Sequence, residues 1–492
     1  MTRFTLAALV AAPAVLGGGL LPTTSTFAAV AQTPVKATTT KAPVSTTVPA
    51  KTPTATPTKS PALTPAKANS ITAHQETAAD YAQFLQAKYN IQLPAQVKRG
   101  DFLRALAAIV KSPTASTEAA QTPTFTDLKS GDAAYDAAVT LSQQGILSDK
   151  TIHANDALTV YAAVFVAVKA AGFKELAYTY PQSKVDAALA KAGIAANRVQ
   201  GQAAQELAAA IDTGLVPEQL YPVLRKSGTI DRNTANILLG QTLTSLGKYK
   251  NEIGRTSDSD IYEKLYSAYR TADLIEAPEL RTIVDEALRS NLVTGYNLKD
   301  SRYNSNFIDS LTLTYGHDDI KHAVQLIGLL RSEGIDADVQ FQPKTSAFIY
   351  LKEWGTPKET PDYKVTQIEN GNYIAYAKEY DIQFEFNNTK DKQRFNNIIS
   401  TYAKKNSDTQ TPLIYNSWWQ PLYYSPTELS GYPVISNTKI TLGNYYAQSF
   451  SLKDKAQAIR DGFRKLAPDA TISGYDFWVD QPFFNYLNGE SE

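Results

Sequence analysis

The chain has 492 residues with 48 basic and 48 acidic side chains and a pI near 6.9, so no net field favours nucleic acid. It contains no Cys, and its one Met is the first residue, which excludes disulfides, thiol catalysis and Cys-ligated metals. The length leaves room for roughly two or three domains with sizeable cores, and an excess of Tyr (28) over Phe (18) suits half-wet surfaces.

Residues 1–31 read as a secretory signal. Arg3 precedes an apolar run from Phe4 to Leu21, interrupted by Pro13 and Gly17-Gly18-Gly19, and Ala29-Val30-Ala31 offers a small-x-small cleavage site. No other stretch is long and apolar enough to span a bilayer, so the mature protein is expected to be exported and free of the membrane. Residues 32–69 are almost all Thr, Pro, Ala, Val, Ser and Lys, and Lys36, Lys41, Lys51, Lys59 and Lys67 meet no acidic residue. Such a segment cannot bury a core. It reads as an extended linker that threads the cell wall, carries O-linked sugars or is a plain spacer.

Residues 70–248 carry an internal repeat. In its middle, Phe125-Thr126-Asp127-Leu128 leads through Gly131 and Asp132 into an amphipathic run from Tyr135, which Gly145 ends as a helix C-cap does. Ile146-Leu147-Ser148 and a polar turn follow, then a second helical run from Leu158 to about Ala170. Upstream, Val97-Lys98-Arg99-Gly100-Asp101-Phe102 opens a similar second helix after an earlier one over Ala79 to Tyr89. Downstream, Thr213-Gly214-Leu215-Val216 ends one helix and Ile230-Asp231-Arg232 opens another. Three helix–turn–helix units constrain the fold more than any single motif.

The middle unit resembles an S-layer homology repeat: a Phe-Ser/Thr-Asp-Val/Leu opening, a helix ending Gly-Ile/Val, a turn, and a helix opening Ile-Thr-Arg-Ala-Glu. The outer units match in parts. The resemblance implies an all-α triple helix–turn–helix bundle that binds secondary cell-wall polysaccharide. In that family an arginine opening the second helix pairs with acidic, pyruvylated sugars, which places Arg99 and Arg232 as candidate glycan-binding residues. A guanidinium suits the task because it holds a carboxylate bidentately and stays charged. Val160 replaces that arginine in the middle unit, so one groove is expected to be dead or altered. Asp127 and Tyr135 match the family's opening acid and first-helix aromatic, and fit equally well as a local cap and core residue.

Residues 249–304 are expected to be a helical connector. Over 305–492 the period alternates, and three strand–helix–strand units follow: Ser310 to Phe341, Ile382 to a strand near Leu413, and Ala447 to Val479. Gln342-Pro343, Gln420-Pro421 and Gln481-Pro482 close them, as a residue without an amide donor closes a strand or marks a sheet edge. The expected fold class is therefore multidomain: the helical bundle, then an α+β region of three strand–helix–strand repeats.

Few residues there suggest chemistry. His317 and His322, read on one helix, would point about 140° apart, which suits a shared metal badly. No metal, cofactor or catalytic pair is expected. Trp418-Trp419-Gln420-Pro421-Leu422-Tyr423-Tyr424, with Trp354, Trp478, Phe483 and Phe484, is either a sugar-stacking or contact surface or simply core. The expected function is an exported surface protein anchored non-covalently to the wall, whose outer region serves lattice self-association, adhesion or partner contact. The alternative is an anchored hydrolase of wall glycan or peptide.

Overall fold

The computed structural model describes residues 75–111, 123–402 and 423–490. The expected signal and linker, the strand near Leu413, and Trp418 to Leu422 lie outside the described residues. The chain divides into two units, Met1–Lys67 and Ala68–Glu492, and everything described belongs to the second.

The first half is helical: α1 (Ala78–Tyr89), α2 (Arg99–Val110), α3 (Tyr135–Gln143), α4 (Val160–Ala170), α5 (Lys174–Tyr178), α6 (Gln182–Lys191), α7 (Gly201–Asp212), α8 (Tyr221–Lys226) and α9 (Arg232–Ser245). Local chemistry starts several of them. Thr77 and Asp80 form a capping box on α1, the Thr159 hydroxyl accepts from the Ala162 amide on α4, and the Asp231 carboxylate accepts from the Thr234 amide on α9.

Helices α2, α4 and α9 pack on one another pairwise, while α3 lies on α2, α7 on α4 and α1 on α9. Each unit's first helix therefore rests on the second helix of the preceding unit, and α1 closes the ring on α9. Single bridges pair the residues that lead into the inner helices: Lys98 with Ala157, Thr159 with Thr229, and Asp231 with Gln96. In all three, the residue just before one helix meets the residue two places before the equivalent position of the next unit. That is the register of a threefold repeat. Val97, Leu158 and Ile230, one from each segment, are buried beside these bridges.

The second half begins with β1 (Gly254–Arg255), α10 (Ile261–Thr271), α11 (Pro278–Arg289), β2 (Gly295–Asp300) and β3 (Thr312–His317). It continues with α12 (Ile320–Ser332), β4 (Ala337–Tyr350), β5 (Tyr363–Gln367), β6 (Tyr373–Phe386), α13 (Thr389–Tyr402) and β7 (Tyr423–Ser425). Strands β8 (Val434–Leu442) and β9 (Tyr445–Ser451), α14 (Ala456–Leu466), β10 (Thr471–Val479) and α15 (Gln481–Asn488) complete it. The strand order β4-β2-β9-β8-β10-β7-β3-β6 returns to β4 through a continuous antiparallel pairing from Ala337↔Phe386 to Tyr350↔Tyr373. Strands β1 and β5 attach to β4 and β6 outside this circuit.

This closed, eight-stranded antiparallel barrel overturns the expected α+β series of three strand–helix–strand repeats. The strands flanking each helix do not pair with each other. β6 runs between β3 and β4, β3 between β6 and β7, and β8 between β9 and β10. The units thus interlock instead of following one another, and β2, within the stretch read as a helical connector, closes the seam between β4 and β9. Nor does Gln-Pro end each unit. Pro343 lies inside β4, where one edge passes from β1 at Val339 to β2 at Lys344, a place that suits a residue without an amide donor. Pro482 opens α15 behind the cap residue Asp480.

The barrel is apolar outside and, around Asp381, polar within. Outward residues such as Leu313, Val339, Phe341, Ile382 and Phe384 pack beneath α12, and Leu298, Ala347, Ile440 and Ala447 lie in one cluster with residues of α11 and α14. Alternate positions such as Lys299, Gln342, Lys344, Asp381 and Gln448 are buried and polar, while Phe450 and Phe477 share the inward face beside Tyr424.

The two halves meet around Lys250. Its Nζ lies 2.8 Å from Asp338 and 2.7 Å from Glu385 of the barrel, and 3.6 Å from Glu76 just ahead of α1. Burial opposes the charge of this ammonium, but the three carboxylates hold its pKa above the ordinary lysine value.

Candidate functional site

Arg99, Val160 and Arg232 are each the first residue of an inner helix, at equivalent places beside the three bridges. The Arg99 amide donates to the Asp156 carbonyl at 2.9 Å, and the Val160 amide donates to the Gly228 carbonyl at 3.0 Å, the same contact one unit on. The backbone thus repeats while the side chains differ.

Arg99 is half-buried. Its guanidinium pairs with Asp149 at 3.4 Å, and its Nε is buried without a hydrogen-bond partner. An unsatisfied buried N–H is unusual. Beside it, the Gly100 amide donates to the Ala154 carbonyl at 2.8 Å. A Cβ at position 100 would stand 2.9 Å from that carbonyl and 3.3 Å from Ala134, so glycine permits the close approach of the 154 turn and the start of α3. Tyr135 follows Ala134 and stands edge-on to Phe125 at 6.0 Å between ring centres.

Asp127 acts on this place through the backbone. Its carboxylate accepts from the Ile152 amide at 2.8 Å and the His153 amide at 2.6 Å, and His153 has a φ of 54°. Partial desolvation works against the charge, but these amides draw the carboxyl below its ordinary value. Asp127 therefore braces the turn whose Ala154 carbonyl receives Gly100. Arg232 is exposed and has no ion-pair partner among the described residues. Val160 is 1 % exposed and offers no polar group. The structure brings Arg99, Asp149 and the start of α3 together, and leaves Arg232 exposed at the equivalent helix start. Asp149, from the polar turn before residue 151, was missed as the arginine's partner; its acidic side chain in that turn was the available signal.

The remaining candidates fall elsewhere. His317 ends β3 and only His322 is on α12, so the angular argument that assumed one helix fails: their rings lie 3.8 Å apart. Tyr315 Oη is 3.2 Å from His322 Nδ1, and the Asp319 amide donates to His317 Nδ1 at 2.9 Å. Burial, then the charge of His317, push the His322 pKa down to about 4. Among the described residues there is no group of three or more His, Cys, Asp or Glu arranged to hold a metal ion. Of the aromatics, Phe483 is core, Phe484 and Trp478 pack against core, and Trp354 is exposed. No helix of the described residues is long and apolar enough to cross a membrane. No protein family, curated protein or solved structure matches this chain.

Proposed function

We propose that the helical ring anchors the protein non-covalently to an acidic cell-wall polysaccharide at the cell surface, with Arg99 and Arg232 each receiving a sugar carboxylate. The carrying observation is the repeated register that sets both arginines at the first position of equivalent inner helices. There the positive end of the helix dipole adds to a guanidinium already suited to a bidentate carboxylate. At Arg99 the ligand would replace Asp149, whose side chain is 62 % exposed, and would meet the unpartnered Nε. In this reading the barrel half is what the ring displays, for assembly, adhesion or contact with another protein.

The test is binding of the full chain to purified walls that carry the acidic polymer. A charge-assisted contact is worth roughly 1.5–3 kcal/mol, so Arg99→Ala or Arg232→Ala should each weaken binding about ten- to a hundredfold. Arg→Lys should recover only part, and Val160→Ala should leave affinity unchanged. Removing the acidic substituent from the polymer should reproduce the double mutant. A double mutant that binds walls like the wild type at physiological salt would refute the reading.

A further inference from the structure

We propose that Lys344 and Asp381 become joined by an intramolecular amide bond, formed once by the folded barrel itself. The two residues sit on the adjacent strands β4 and β6, two places apart in register, with Lys344 Nζ 2.6 Å from Asp381 Oδ1. Contact at this distance between an amine and a carboxyl, held by two strands, converts a bimolecular condensation into an intramolecular one.

The surrounding residues supply the other roles. Asp381 Oδ2, the oxygen turned away from Lys344, accepts from Lys299 Nζ at 2.5 Å and from Tyr424 Oη at 2.7 Å. Two donors on one oxygen are what a developing oxyanion requires. Glu379 is the direct cross-strand neighbour of Lys344, 4.0 Å from its Nζ, and is oriented by the Ser346 hydroxyl at 2.7 Å. It is placed to carry a proton from the attacking nitrogen to the departing oxygen.

Lys344 is 2 % and Asp381 1 % exposed, so the site is shut off from water, where an ammonium–carboxylate pair is most favoured. The same burial pushes the neighbouring Lys299 down to about 8. Burial also opposes the Asp381 charge, yet the two lysines hold its carboxyl below the ordinary range, so its neutral form is scarce and the reaction is slow. A bond made once per molecule needs no faster step.

The chemistry balances without an oxidant. A proton passes from the Lys344 ammonium to Asp381 Oδ1, and the free amine attacks Asp381 Cγ. The C–N bond forms and negative charge collects on Oδ2. Glu379 takes the second proton from nitrogen and gives it to the Oδ1 hydroxyl, the Cγ–Oδ1 bond breaks, and one water leaves. The amide removes two buried charges and ties β4 to β6. In a chain without cysteine, this is a covalent staple that does not depend on disulfide chemistry.

The experiment is mass spectrometry of the folded, purified full chain, with its N-terminus determined independently. The wild type should weigh one water less than its sequence, and a digest should yield a branched peptide joining Lys344 to Asp381. Lys344→Arg, which keeps the cation, and Glu379→Gln, which keeps both reacting groups, should each show the full mass. A folded wild type at full mass overturns the proposal whether or not any variant folds. A branch at Lys299 overturns the assignment of the nucleophile.

Discussion

The two halves of the described unit solve the same problem, a closed circle of repeated elements, with opposite interiors. Between the inner helices of the ring lie Leu106, Ala167 and Leu239, beside the apolar trio under the bridges. Helix contacts of this kind are specified by shape and volume. The barrel keeps most of its apolar residues outside, beneath helices, and holds Lys299, Lys344, Asp381 and hydrogen-bonding amides within. There, partners are specified by charge and direction. The ring should therefore fail through clashes and cavities, and the barrel through unpaired charge.

The largest expected effect tests the barrel. In a Lys344→Arg background, where no amide can form, Asp381→Ala leaves two buried cations without their shared carboxylate, and losing one member of a buried ionic group costs about 3–5 kcal/mol. Denaturant unfolding should show this as a lowered midpoint. Against the same Lys344→Arg reference, replacing Lys299, position 344 and Asp381 together with Met should cost far less, because no charge is stranded. Equal losses in the two variants would mean that packing, not pairing, specifies the lumen.

The next effect tests the ring. A Cβ at Gly240 of α9 would fall 2.0 Å from the Tyr81 ring of α1. Gly240→Ala should then cost about 1–3 kcal/mol by overpacking. In Tyr81→Ala the same substitution should cost much less, since residues in contact are not additive. Thermal unfolding of the double-mutant cycle measures the coupling.

A smaller loss is expected at the helix starts. Thr159→Ala removes the hydroxyl that accepts from the Ala162 amide and should cost about 1 kcal/mol, read from the same curves. The last effect appears only in acid and belongs to the barrel half. His322 has a folded pKa near 4, below its ordinary 6.5, so the unfolded chain takes up the proton first. Its contribution is fully present above pH 6.5 and is lost as pH falls toward 4. His317, Tyr315, Asp318, Asp319 and Lys321 surround it, and only the difference between wild type and His322→Asn isolates its part. The acid-side fall in melting temperature should be shallower in the variant.

Much of the local pattern was legible in the sequence. The helical period over 320–332 and the alternation over 312–315 and 382–386 follow from side-chain geometry alone, although His317, read as opening the helix, ends β3. Assembly was not legible. Whether β3 pairs with β4 or leaves room for β6 depends on contacts between residues far apart in the chain, and no local period reports them. Sidedness also misled: Asp381, Gln383 and Glu385 alternate with Ile382 and Phe384 as a solvent-facing row would, yet they point inward. A hint was available, because charged and amide side chains recur at alternate positions on β4, from Asp338 to Lys344, and on β6, from Glu379 to Glu385. At the candidate site, the resemblance to S-layer homology repeats placed Arg99, Val160 and Arg232 at helix starts. The role of Asp127 could not be read, because its ligands are backbone amides that only the folded turn brings within reach.

The seating of α1 on α9 carries a consequence for the order of events as the chain is made. The Gln241 side chain donates to Tyr81 Oη at 2.9 Å across 160 positions of sequence. Until α9 emerges, Tyr81, Phe84 and Leu85 have no surface to cover them, whereas α3 can settle on α2 after a far shorter wait. Long-range closure of this kind raises contact order and slows folding. The ring is therefore expected to remain an open, sticky arc through most of its synthesis and to snap shut only when its last helix arrives.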